Sequence, residues 1–284
     1  MNNLPVPGTL YRKFNVQELI DMTLKKAYTT LVIVCILAII TVVLFAVGVS
    51  KMAMEWGIFG YLASLFVALA TLLYGIYSLK QEKVTDNASI LVRYRYEILD
   101  WISFLGTSMM VIFIIFMFWI IPSVVSQNSM EPTLSNDDRI IVYHFRYQPK
   151  AGDIAIYRKT SPFTDTIFLI KRIVAVPGDQ IAFIDDPNTN QMLIVINGEV
   201  ARNPAGDEYL ISSSRSQSII DSDLIDGILQ DDKFLIFGDN ADYEINAQGN
   251  LINISEDSRS FGAVHETDLL GRATMRFWPF EVFR

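Results

Sequence analysis

Residues 101–134 read WISFLGTSMMVIFIIFMFWIIPSVVSQNSMEPTL, and the fold turns on where that run changes character. No Asp, Glu, Lys or Arg interrupts it between Asp100 and Glu131. Its length exceeds the ~20 apolar residues that cross a ~30 Å hydrocarbon core. A helix buried inside a soluble protein rarely stays uncharged on every face for so long. Beyond Glu131 the charges return, and short β-rich runs replace the long apolar ones. Trp101 to Met130 is therefore a membrane span that delivers the chain into a globular half.

Two similar runs precede it. Ala27 to Ser50 lies between Lys26 and Lys51, and Trp56 to Leu79 lies between Glu55 and Lys80. The three are read as transmembrane helices over about 29–50, 56–79 and 102–121. This divides the chain into a cytoplasmic N-terminal segment 1–28, a membrane domain 29–121 and an extracytoplasmic domain 122–284. The first run is longer than a signal-peptide h-region of about 7–15 residues and follows some 26 polar or charged positions, so it reads as an uncleaved anchor. In that leading segment, Asn15 with Glu18 three residues later fits the start of a short interfacial helix.

Orientation follows from the positive residues, which favour the cytoplasmic side. Arg12, Lys13, Lys25 and Lys26 precede the first span, and Lys80, Lys83, Arg93 and Arg95 join the second to the third. The hairpin between the first two holds only Lys51. The N-terminus is thus expected inside and residue 122 onward outside, as in a multi-pass protein of the plasma membrane.

The outer half is acidic. Of the 23 Lys/Arg and 31 Asp/Glu in the chain, fourteen and twenty-four fall in residues 131–284. Such a surface repels phosphate backbones and argues against a nucleic-acid partner. Cys35, the single cysteine, sits in the first apolar run and excludes an internal disulfide or a cysteine-based zinc site. Strands are expected at RIIVYHF (139–145), DIAIY (153–157), TIFLIKRIVAV (166–176), QIAFI (180–184), MLIVING (192–198), KFLIF (233–237) and RATMRFW (272–278). Asn197–Gly198 is a two-residue hairpin signal. Together they predict a mainly-β domain. Two polar stretches, about 202–232 with SSSRSQS and about 242–253 with the Gly249–Asn250 turn, read as solvated surface insertions.

The common hydrolase signals are missing: there is no G-x-S-x-G, no H-E-x-x-H and no phosphate-binding glycine loop. Of the two histidines, His144 falls in an expected strand and His265 beside Glu266 reads as exposed surface. No metal ligand set and no cofactor motif is evident. A serine hydrolase without histidine needs another base, and lysine serves when burial lowers its pKa from about 10.4. Lys171 fits, since strand alternation puts it on one apolar face with Leu169 and Ile173 and turns Arg172 to the other. A lysine at a sheet edge is the competing reading.

Four blocks settle on a resemblance. They are SQNSMEPTL (126–134), GDI (152–154), KRIVAVPGD (171–179), and FGDN (237–240) with S-x-D-S-R-x-F-G (255–262). In this order, behind an anchor of this orientation, they resemble type I signal peptidase, a Ser-Lys serine endopeptidase family. The resemblance covers about residues 122–274 and implies a signal-peptidase-like β fold. It implies Ser129 as nucleophile, Lys171 as general base and Ser255 as the hydroxyl that orients the lysine amine. It further implies an Asp257–Arg259 ion pair, structural support from Asp239 and Asn240, and an oxyanion hole that includes the Ser129 N–H. Val125, Met130, Leu134, Leu169 and Ile170 fall where the family binds small side chains before the cut. The expected substrates are secretory preproteins with A-x-A-like sites, and the expected surroundings are the lipid bilayer, with the protein-export machinery a candidate partner.

Three departures stand against the family pattern. Two residues before the nucleophile, where serine or glycine is common, stands Gln127, whose side-chain amide is a candidate second oxyanion donor. Fourteen residues separate Asn240 from Ser255, where the family uses three. Three spans replace the commoner one or two. The alternatives are an inert membrane-anchored binding protein of the same fold and a self-cleaving protease of the SOS-repressor type. The three spans and the acidic outer half oppose the second.

Overall fold

The computed structural model describes residues 16–51, 55–81, 90–161, 164–240, 243–245, 251–253, 255–277 and 279–283. It divides into two compact units, one of residues 1–49 and 53–118, the other of residues 50–52 and 119–284.

The first unit is three long helices, α1 (Val16–Val47), α2 (Glu55–Gln81) and α3 (Ile90–Phe118). Each carries a stretch long and apolar enough to cross a membrane, at Ile20–Val47, Ile58–Lys80 and Ile98–Phe118. Their hydroxyls do not stay unmatched in apolar surroundings. Thr41, Ser64, Thr71, Ser103 and Thr107 each donate to the carbonyl four residues earlier, which satisfies polar groups inside the helix itself. Small residues set the α2–α3 approach: a Cβ at Gly106 would lie 3.1 Å from Ala68 Cβ, as expected where helices associate without a hydrophobic drive. The N-terminal segment was expected to hold a short interfacial helix. Instead α1 runs unbroken from Val16, and Asn15 lies outside the described residues.

The second unit is mainly β. Its larger sheet contains β1 (Ile120–Val124), β2 (Arg139–Tyr143), β3 (Ile154–Ser161) and β4 (Thr164–Ala175). A smaller sheet combines β5 (Ile181–Asp185), β6 (Met192–Ile196), β7 (Glu199–Val200) and β8 (Leu210–Ile211). Then come α4 (Ser213–Asp223), the short pair β9 (Leu224–Ile225) and β10 (Ile228–Leu229), and β11 (Lys233–Phe237). Hairpin strands β12 (Tyr243–Ile245) and β13 (Leu251–Asn253) precede α5 (Ser258–Phe261). The chain closes with β14 (Val264–His265), β15 (Leu269–Arg276) and β16 (Glu281–Val282). The larger sheet has the order β1-β2-β15-β3-β4-β11-β14, with β16 beside β15. Its neighbours pair antiparallel throughout.

All seven expected strands are present. Asn197 and Gly198 join β6 to β7 with φ of 51° and 87°, the positive values that a tight hairpin turn needs. Two readings differ from the structure. The third helix ends at Phe118, because Ile120–Val124 pairs residue by residue with β2. Composition alone does not separate an apolar strand from the end of an apolar helix. Pro122 is tolerated there because β1 lies at the sheet edge.

The stretch 202–232 is not a solvated loop. Tyr209, Ile211, Ile219, Leu224 and Leu229 are buried in one cluster with Leu235 and Phe237. Its serine-rich helix α4 hides one face and exposes the rest. Of the stretch 242–253, the described parts form the antiparallel β12–β13 pair, and the Gly249–Asn250 turn lies outside the described residues.

Adjacent isoleucines test this second core. Ile219 is 1% exposed and Ile220 is 41% exposed. Ile219→Ala should cost about 2–4 kcal/mol of the second unit's stability, by the usual loss for a buried large-to-small change. Ile220→Ala should cost under about 1 kcal/mol. Equal denaturation midpoints for the two variants would restore the solvated reading.

Candidate active site

Strand alternation builds the site. In β4, Lys171, Ile173 and Ala175 are buried while Arg172 and Val174 between them are partly exposed. β4 is not an edge strand, since β3 flanks it on one side and β11 on the other, so the sheet-edge reading of Lys171 falls. Lys171 is 3% exposed. Its Nζ donates to Ser129 Oγ at 2.7 Å and to the carbonyl of Ile170 at 2.9 Å.

Ser129 sits in the turn that follows β1, half-buried at the floor of a cleft. The cleft measures about 290 Å³, with Ser123–Gln127 along one wall and Phe168–Lys171 along the other. Val125, Met130 and Leu134 are buried with Ile154 and Ile156 in one apolar cluster, and Ile170 packs against it. Leu169 lines the cleft itself. Of the five expected pocket residues, Val125, Leu169 and Ile170 line the cleft with Ser129, whereas Met130 and Leu134 are fully buried in the apolar cluster behind it.

Burial is the first cause of the lowered Lys171 pKa, which falls from 10.5 to about 8. An ammonium loses its hydration in such surroundings, so the neutral amine gains. Asp257, Glu256 and Asp239 oppose the shift, and Arg259 adds to it.

The acidic groups near the amine are all engaged. Asp257 holds Arg259 Nη2 at 2.7 Å, caps α5 through the Arg259 N–H, and accepts from the Gly238 N–H at 2.9 Å. Asp239 takes Arg172 Nε at 2.7 Å and Nη2 at 2.6 Å in a forked pair. Glu256 pairs with Lys159. Burying an unpaired carboxylate would cost several kcal/mol. Here each has a cation.

Arg172 was assigned only to the opposite strand face by sequence reasoning, yet it joins all four blocks. Besides Asp239 it donates to the Gly152 carbonyl at 2.9 Å and to Thr133 Oγ1 at 3.4 Å. The legible signal was its place beside Lys171 in a strand, with an acidic partner block downstream.

The FGDN turn presses on the Ser129 turn. Asn240 N and Nδ2 donate to the carbonyls of Ser129 and Asn128, both at 3.1 Å. A Cβ at Gly238 would lie 2.3 Å from Ser255 Oγ and 2.4 Å from the Ser129 carbonyl oxygen. Only glycine fits. Ser255, 3% exposed, therefore lies near Ser129, across Gly238, despite the long spacing from Asn240. The β12–β13 pair accounts for this, because Tyr243 and Asn253 are cross-strand partners and the insertion's ends return together.

Gln127 stands at the cleft wall with φ of 75°, its N–H donating to Asn136 Oδ1 at 2.8 Å. Neither histidine joins the dyad. His144 is buried against Ser50 Oγ, and exposed His265 meets Asp232 at 3.1 Å. Among the described residues no His/Cys/Asp/Glu group could hold a metal ion.

Residues 98–278 match the family described as signal peptidase, peptidase S26. The chain belongs to that family. A signal peptidase IB of Staphylococcus aureus (strain COL) is 26% identical over 200 residues, covering 66% of this chain and 93% of that protein. The counterpart from strain Mu50 / ATCC 700699 is 25% identical over the same lengths. A probable signal peptidase I-2 of Synechocystis sp. (strain ATCC 27184 / PCC 6803 / Kazusa) is 31% identical over 163 residues, covering 55% of this chain and 62% of that protein. The matched region of this signal peptidase-family chain begins in α3 and runs through β15.

A desolvated amine leaves a thermodynamic mark. Unfolded, Lys171 keeps its proton to about pH 10.5; folded, it releases it near 8. The burial penalty is therefore full below pH 8 and gone above 10.5. Lys171→Met should stabilise the peptidase unit at pH 7 by up to about 3 kcal/mol, since each tenfold loss of proton affinity on folding corresponds to about 1.4 kcal/mol. The advantage should shrink between pH 8 and 10.5. Paired melts across that range check it, and a constant difference would show the amine is not strained by burial.

Proposed function

We propose that this chain is a membrane-anchored signal peptidase I, a serine endopeptidase that removes N-terminal signal peptides after small residues. The observation that carries the reading is the 2.7 Å contact between Lys171 Nζ and Ser129 Oγ, with the amine buried and its pKa lowered to about 8. The neutral amine takes the serine proton as Oγ attacks the scissile carbonyl, then returns it to the leaving amine. A water deprotonated by the same lysine releases the acyl group from Ser129.

The remaining residues take supporting roles. Ser255 orients the lysine amine. The Ser129 N–H and the Gln127 amide receive the developing oxyanion, where aimed donors contribute most. Val125, Met130, Leu134, Leu169 and Ile170 wall pockets that admit only small side chains. The precursor lies extended between the cleft walls, by strand addition. Asp239, Asn240, Asp257 and Arg259 hold the turn beneath the serine.

In the membrane, the Lys/Arg distribution supports an inside N-terminus and an external peptidase unit. That orientation sets Ser129 at the outer lipid boundary, where a signal peptide leaves its cleavage site, and the export machinery becomes a natural neighbour. An inert binding protein of this fold has nothing to gain from a desolvated amine of lowered pKa held against a hydroxyl.

Ser129→Ala and Lys171→Ala should each reduce cleavage of an Ala-x-Ala precursor in detergent at least about 10³-fold, as for loss of a nucleophile or its base. Near-normal turnover by either variant would dismantle the dyad. For the wild type, kcat/KM should rise nearly tenfold per pH unit from 6 to 7, bend near 8, where half of the amine is neutral, and level off beyond it. A flat profile would exclude a lysine base.

A further inference from the structure

The 202–232 stretch lies outside the four sequence blocks, yet it is tied to them: Leu229 pairs with Gly178 and Asp179, and Tyr209 and Asn203 reach the last block. Tyr209, fully buried, turns its ring to the Arg259 guanidinium at 5.1 Å, and Phe237 faces the same group at 5.5 Å. The two rings meet edge to face at 4.8 Å. Asn203, also buried, donates from Nδ2 to the Asp239 carbonyl at 2.9 Å. The Tyr209 hydroxyl has no hydrogen-bond partner among the described residues, so its contribution lies in the ring.

We infer that Tyr209 is a positioning residue for the peptidase reaction, seating Arg259 against Asp257 so that the turn beneath Ser129 and Lys171 stays in register. Asn203 is the same stretch's second tether, on Asp239. The chain of contact is short. The ring holds the guanidinium, the guanidinium holds Asp257, and Asp257 holds the Gly238 N–H. Gly238 abuts both the Ser129 carbonyl and the Ser255 hydroxyl. Cation–π contact of a desolvated arginine is worth more than one at the surface.

The arrangement has an electrostatic consequence at the amine. Four charged groups act on Lys171: Asp257, Glu256 and Asp239 favour its ammonium, and Arg259 disfavours it. Glu256 and Asp239 have their own cations in Lys159 and Arg172. Around Arg259 stand Asp257, the Asn240 carbonyl and the two rings. A guanidinium that slips from its seat leaves Asp257 less compensated, and the ammonium gains.

The test rests on the proposed function and uses the full-length enzyme with an Ala-x-Ala precursor. For Tyr209→Met the midpoint of the acid limb of kcat/KM should rise by about 0.5 pH unit or more, the scale of a nearby charge changing its pairing. That midpoint does not depend on how much of a preparation is folded. Tyr209→Phe should keep the wild-type midpoint. An unmoved midpoint in Tyr209→Met, or a moved one in Tyr209→Phe, would overturn the inference. Should Tyr209→Met not fold, Asn203→Ala replaces it, with kcat expected to fall several-fold at unchanged KM; wild-type kcat would be the overturning result. A wild type that fails to cut the precursor defeats the functional reading instead, so the two failures are distinguishable.

Discussion

One buried amine organises the peptidase unit. To serve as the proposed base Lys171 must lose its water, and the loss opposes folding as long as the proton stays on. The apolar cluster of Met130, Leu134, Ile154 and Ile156 lies beside the dyad. Every carboxylate within electrostatic reach must then be neutralised elsewhere, or it would restore the proton. The forked Arg172–Asp239 pair, the Arg259–Asp257 pair and the Lys159–Glu256 pair meet that condition. Buried ion pairs seldom add much net stability. Their place here is better understood as keeping the Lys171 proton loosely held, with the hydrogen bonds to Gly152, Gly238 and Thr133 as a second benefit.

Much of this was legible before any coordinates. Charge-free length exposed the three long helices, and alternation exposed the seven principal strands. Alternation also put Lys171 on the face it shares with Ile173. What stayed hidden had a physical reason in each case. β1 is apolar and β-branched directly after an apolar helix, and only its pairing with β2 separates the two. α4 reads SSRSQSIIDSD, a poor helix former with a single strongly apolar stripe position in Ile219, so tertiary burial rather than propensity makes it. Tyr209 looked like one aromatic in a polar stretch, and nothing in the spacing linked it to Arg259 fifty residues away.

The long gap between Asn240 and Ser255 illustrates how a motif survives insertion. Loop length costs little once closure is local, growing only logarithmically. Here closure is local because β12 and β13 pair antiparallel, with Tyr243 opposite Asn253. The hairpin carries its own ladder and returns the chain to where it left. Ser255 then needs no compensating movement of the FGDN turn, which is fixed independently by Asn240 on the Ser129 and Asn128 carbonyls. Spacing in sequence was the weakest part of the motif, and it is the part that the fold makes irrelevant.

Gly238 shows the opposite case, a position with no slack at all. The Ser129 carbonyl and the Ser255 hydroxyl both lie where its Cβ would be, while its N–H is held by Asp257 and the following residue by Arg172. Side-chain space has been exchanged for proximity, bringing the Ser129 and Ser255 segments into contact at one glycine. A site assembled this way tolerates an added hairpin at its edge but no added methyl at its centre, because packed interiors transmit a displacement rather than absorb it.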